Sequence, residues 1–113
     1  MVEDEWGRDP AVRMMRAVFR TMEEAQKGML GALGIGPFDP RLRRWREIAL
    51  GLWERCWGRM ARSGAGAQDQ EQKAAGLYLA CLSRVLSRDG VSVPVGLLPK
   101  DEEINKLMRE VLP

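Results

Sequence analysis

Seven arginines between residues 41 and 62 are the side chains whose type and spacing could do chemistry. Arg41, Arg43, Arg44 and Arg46 crowd into six positions, and Arg55, Arg59 and Arg62 follow at spacings of four and three. A guanidinium is charged at any physiological pH and presents its N–H donors as a planar fork, so its chemistry is recognition of phosphate or carboxylate. On a helix opening near residue 41 the first four occupy the first turn and a half, where the dipole opposes positive charge. Local stability therefore does not explain them. Together with the helix N-terminus they form an expected anion site for a phosphate backbone, which Arg55, Arg59 and Arg62 extend by about two turns. The competing readings are that they are spread around the helix, pair with acidic residues near the N-terminus, or keep the surface soluble. The excess of arginine (fourteen) over lysine (four) is also what a GC-rich genome would produce.

Other chemistry finds little support. The chain has no histidine, so the commonest general base and the commonest zinc ligand are both missing. Ser63, Ser83, Ser87 and Ser92 have no histidine to activate them, and the pattern offers no buried lysine in its place. Glu47 and Glu54 lie seven residues apart, about 10 Å along a helix axis, and read as partners of neighbouring arginines. Cys56 and Cys81 both fall on apolar faces, which suits small reduced core residues better than a disulfide. The glycines of GMLGALGIGPFDP (28–40) lack the preceding strand and the spacing of a nucleotide loop. Gly28 and Gly31 are expected to admit a neighbouring helix, and Gly34 and Gly36 to end the first helix and turn the chain. The expectation is a protein without enzymatic activity, metal or cofactor.

The elements that must position the arginines are helices. Asp9-Pro10 opens the first, whose apolar stripe is Met15, Val18, Phe19, Met22, Met29, Leu30 and Leu33. Asp39-Pro40 repeats that signal thirty residues later without any matching interior, so it is a second cap and not a repeat. The stretch 39–62 that follows is densely apolar and densely basic, holding three of the four tryptophans. It is read as the central helix around which the chain is organised, lying antiparallel to the first. Trp45, Ile48, Ala49, Leu52, Trp53, Cys56, Trp57 and Met60, with Leu42 and Leu50, give it an apolar arc of roughly 200°. Arg44, Arg55 and Arg62 lie along one edge of the remaining face, Glu47 and Glu54 along the other, with Gly51 and Gly58 between.

Residues 63–73 (SGAGAQDQEQK) read as a flexible connection, and Asp69 with Gln72 resembles a capping box that starts a third helix near residue 69. That helix ends at Gly90, presenting Leu77, Tyr78, Cys81, Leu82, Val85 and Leu86 on one side and a small flank of Ala75, Gly76, Ala80 and Ser83 on another. Pro94 and Pro99 forbid helix in 91–100, which becomes an extended strap, with Val91, Val93, Leu97 and Leu98 sealing the bundle. Asp101 caps a short last helix with Ile104, Leu107, Met108, Val111 and Leu112 in one stripe. Glu102, Lys106 and Glu110 stand at ion-pair spacing along it.

The fold class expected is therefore all-α: a bundle of three long helices and a short C-terminal helix, with a Pro-containing strap before the last. Residues 1–8 make a flexible acidic N-terminal arm bearing Trp6, and 9–113 a single helical domain. Charge is uneven: residues 1–9 carry four acids against one arginine, a balance of −3, and residues 41–62 carry seven arginines against two glutamates, a balance of +5. No secretory signal and no membrane span is evident, so a cytoplasmic location is expected.

The leading functional expectation is a small helical subunit of a nucleoprotein assembly, gripping nucleic-acid backbone, RNA included, without sequence preference. In size and style the chain resembles the small helical subunits of CRISPR effector complexes, a likeness of architecture. The alternative is a helical protein-interaction or self-association module. It would use the apolar surplus of the second helix and the small flank of the third.

Overall fold

The computed structural model describes residues 10–60 and 67–111. The N-terminal arm with Trp6 and the Asp9 cap, residues 61–66 with Arg62, and Leu112 lie outside them. The described chain folds into four α-helices: α1 (Pro10–Ala32), α2 (Leu42–Met60), α3 (Ala67–Arg88) and α4 (Glu102–Val111), with a 3-10 turn at Val95–Leu97. This is the expected all-α architecture of three long helices and one short one.

Local chemistry sets the ends of these elements. Asp39 Oδ1 accepts from the Arg41 N–H at 2.9 Å and the Leu42 N–H bonds back to the Asp39 carbonyl, so the aspartate caps α2 through a tight first turn. Asp101 does the same for α4, accepting from the N–H groups of Glu103 and Ile104. The helix α3 begins at Ala67, so Asp69 lies inside it and is not its cap. Two glycines make the stops. At Gly34 (φ 74°) the Ile35 N–H reaches the Leu30 carbonyl, and at Gly90 (φ 82°) the Val91 N–H reaches the Leu86 carbonyl. Each places an apolar residue just past the helix against one in its last turn, the Schellman arrangement.

One cluster of buried side chains runs through all four helices, and its hub is α3. Ala74, Ala75, Leu77, Tyr78, Ala80, Cys81, Leu82, Val85 and Leu86 are all buried, an arc of roughly 240° at 100° per residue. It packs against α1, α2 and α4, whereas the backbones of α1 and α2 approach each other only slightly. This corrects the expectation that 39–62 is the organising stretch. In α2 only Trp45, Ala49, Trp53, Cys56 and Met60 are fully buried, a stripe of roughly 80°, with Leu42, Leu50, Leu52 and Trp57 half-buried beside it. Ile48, expected inside, is exposed, as are Met15 and Phe19 of α1.

The tryptophans tie the layers together. Trp53 donates its indole N–H to the Ala74 carbonyl of α3 at 3.1 Å and packs its ring on Phe19 of α1 at 5.9 Å. Trp57 stacks on Trp53 at 5.4 Å, and Trp45 donates to Asp89 just past α3. Trp45 thus meets the end of α3 and Trp53 its beginning, so the two helices are antiparallel. Between α1 and α3 a buried Tyr78 hydroxyl donates to the Gln26 side-chain oxygen. Cys56 and Cys81 are buried free thiols within hydrogen-bond reach across α2 and α3. Burial pushes the Cys56 thiol up and the Cys81 thiol to about 12, leaving both without thiolate at neutral pH.

The glycines fall differently from expectation. Gly28 and Gly31 are exposed on α1 with nothing near them, and admit no neighbouring helix. The close approach is at Gly76, where an added Cβ would stand 2.9 Å from Ile104 Cδ1 and 3.5 Å from Pro99 Cβ. The small flank of α3 is therefore where α4 and the strap dock, and the Lys73–Glu103 ion pair closes its edge. That pair engages Glu103, while the expected Glu102–Lys106–Glu110 ladder forms no ion pair among the described residues. In the strap, Val91, Val93, Leu97 and Leu98 pack against the core as expected, but 91–100 is not extended throughout: Pro94, whose fixed φ suits a helix start, opens a 3-10 turn over Val95–Leu97.

Three glycine substitutions have distinct expected outcomes. In urea denaturation Gly28→Ala should raise the unfolding free energy by about 1 kcal/mol through helix propensity, whereas Gly90→Ala should lower it by about 1–2 kcal/mol because its φ is left-handed. Gly76→Leu should expel α4. Overpacking there costs about 1–3 kcal/mol, and a helix of 10 residues does not hold itself together once undocked. Hydrogen exchange should then show residues 102–111 losing amide protection while α1 to α3 keep theirs.

Candidate nucleic-acid interface

The expected site residues all lie on α2 or its cap, apart from Arg62, which is outside the described residues. Successive residues are separated by 100°, so four arginines within six positions cannot share one face. Arg41 turns back on the cap. Its guanidinium bonds both carboxylate oxygens of Asp39, at 3.2 and 3.0 Å, and lies over the Trp45 ring at 4.6 Å. The hydrogen bond from Arg41 holds the Asp39 carboxyl below its ordinary 3.8 and raises Arg41 in turn. A lowered carboxyl keeps its partner above 3.8 and releases it only as pH falls through the depressed value. At neutral pH the charge of Arg41 is therefore already answered.

Arg43 reaches Glu47 one turn on, at 3.5 Å, in a pair that is largely exposed on both sides. Such a pair is worth little and exchanges readily for another anion. Arg46 lies on the flank facing α1, beside Tyr78, Gln26 and Leu50. Burial lifts the Tyr78 hydroxyl to about 12 against the opposing pull of Arg46. This phenol stays protonated and structural.

Arg44, Arg55 and Arg59 behave differently. All three are exposed, and none makes an ion pair among the described residues. With Ile48 and Gly51 they occupy positions 44, 48, 51, 55 and 59, spaced by three and four, which is one continuous ridge. From Arg44 to Arg59 it runs about 22 Å at the helical rise. Gly51 and Gly58 are exposed beside it with open space over their Cα atoms, so the ridge borders a bare strip of backbone. Glu54 is exposed on the opposite edge.

Two contributors escaped the sequence reading. Phe38, in the turn before α2, is 95% exposed and lines an open groove of about 640 Å³ with Arg43 and Arg46. Its Pro-Phe-Asp-Pro setting was the available signal, since a phenylalanine between two prolines cannot join either helix. Gln26 is buried although polar. Its place four residues after Met22 on the buried stripe of α1 was legible, but its partner Tyr78 was not. Among the described residues no three side chains of the metal-ligating types stand together, and no helix is long and apolar enough to cross a membrane. No family model matches this chain, and no curated protein or solved structure matches it either.

Proposed function

We propose that this protein is a non-enzymatic helical subunit of a nucleoprotein assembly that holds nucleic-acid backbone, RNA included, through arginines and without regard to sequence. The observation that carries the reading is the ridge of Arg44, Arg55 and Arg59, three exposed guanidinium groups that form no ion pair among the described residues, although Arg59 shares a hollow with Glu103, Lys106 and Glu110 of α4. A ridge of about 22 Å is long enough to follow several phosphates of one strand. Arg43 and Arg46 extend the basic surface around the N-terminal end of α2. Arg41 contributes least, because its charge is spent on Asp39 and Trp45.

A cytoplasmic subunit of this kind meets other protein subunits through its remaining surface. An interaction module with no nucleic-acid role would use the small flank of α3, which is occupied at Gly76 by Ile104 and Pro99, or the apolar surplus of α2, where Ile48 is exposed. The deciding measurement is anisotropy of labelled single- and double-stranded oligonucleotides at low salt. Binding that weakens steeply with added salt supports the proposal, and no binding at low salt ends it.

A further inference from the structure

We infer that the turn before α2 is a base-stacking platform, so that the nucleic acid held by this protein is single-stranded, with one base lying on the ring of Phe38. The inference rests on the proposed contact with nucleic acid and adds the strand state and the point of base contact. Phe38 is 95% exposed, by far the most exposed aromatic ring among the described residues. An unburied phenylalanine forgoes about 1.5–3 kcal/mol of burial, and nothing in the local fold requires the ring there. The turn itself is closed by backbone bonds and by Asp39, and the core does not reach it. Pro37 and Pro40 restrict the backbone of the turn that carries the ring, so less backbone freedom is lost on binding there.

The surroundings fit a single strand. The groove that Phe38 lines is lined also by the apolar Pro40, Leu42 and Leu50 and by the basic Arg43 and Arg46. Bases unstacked from a duplex offer π-faces to such a ring, while the phosphates beside them meet the guanidinium groups. Asp39 and Glu47 also line the groove. Asp39 is neutralised by Arg41, and Glu47 is held only by the exposed Arg43 pair, which a phosphate can replace. In a duplex the base faces are covered by their neighbours, and Phe38 would have nothing to stack on.

The test compares wild type with Phe38→Ala, Phe38→Leu and Phe38→Tyr. The probes are labelled oligouridylate and oligothymidylate, an abasic sugar-phosphate chain of equal length, and a duplex, all at low salt. Stacking predicts that Phe38→Ala and Phe38→Leu weaken both homopolymers about tenfold, that Phe38→Tyr retains affinity, and that abasic chain and duplex bind all variants alike. Because the ring is exposed, far-UV circular dichroism should be unchanged in every variant. Unaltered homopolymer affinity in Phe38→Ala, with affinity still lost on removing Arg44, Arg55 and Arg59, overturns stacking and leaves the arginine ridge standing. Full retention in Phe38→Leu also overturns it, since aliphatic contact would then suffice. Absence of binding by wild type overturns both readings, and self-association abolished in Phe38→Ala would then identify the turn as a protein contact.

Discussion

Trp53→Ala should remove about 3–5 kcal/mol of stability, the largest effect expected of any single substitution in this chain. Domains of this size have about 5–15 kcal/mol in total, so the variant should be marginally folded and its thermal midpoint sharply lower. The size of the effect comes from position. One buried indole touches Phe19 of α1, stacks on Trp57 within α2 and donates to Ala74 of α3, so its removal opens a cavity where three helices meet. Trp53→Phe separates the packing from the hydrogen bond. It keeps a ring near Phe19 and loses the indole N–H, and the Ala74 carbonyl sits within α3, where the helical ladder supplies another donor. The cost of the lost bond itself should then be about 1 kcal/mol. Urea denaturation of the two variants measures both quantities, and near-equal losses would show that the N–H to Ala74 contributes more than the ring.

Replacing Arg44, Arg55 and Arg59 together by alanine should reduce the salt dependence of nucleic-acid binding more than any other surface change. Each phosphate contact releases condensed counterions, and three contacts account for about 2 units of the slope of log K against log salt on single strands, or about 3 on duplex. Exposed side chains without ion-pair partners leave little behind in the fold, so stability should move by less than about 0.5 kcal/mol per site. Arg41→Ala is the internal control. It removes the same charge, but one already bonded to Asp39 and stacked on Trp45. Its slope should stay close to wild type while the start of α2 loosens. Equal slopes for wild type and the triple variant would rule out the ridge as the contact surface, and an equally large loss in Arg41→Ala would point to net charge over geometry.

How far the sequence could be read depends on the range of each interaction. Capping, termination and stripe periodicity act within about four residues, and most were legible: Asp39 and Asp101 at two helix starts, Gly34 and Gly90 at two stops, the break forced by Pro94 and Pro99, and four helices, although Asp69 proved to lie inside α3 and not at its cap. The seven arginines were legible as a cluster in sequence. Which of them face solvent without a partner was not. Arg41 is taken up by a ring and a carboxylate of its own turn and Arg43 pairs with Glu47, while Arg46 lies between a tyrosine from another helix and the groove beside Phe38; Arg44, Arg55 and Arg59 make no such contact.

Rotation of each helix about its axis settles such matters, and rotation is set by contacts remote in sequence. Gln26 meets Tyr78 and Trp45 meets Asp89, pairs 52 and 44 residues apart. The same contacts made α3 the hub instead of the tryptophan-rich α2, and they put the close approach at Gly76 instead of Gly28. Amphipathic periodicity states how much of a helix is apolar, but an aromatic-rich stripe of 80° and a small-residue arc of 240° are told apart only by what packs against them.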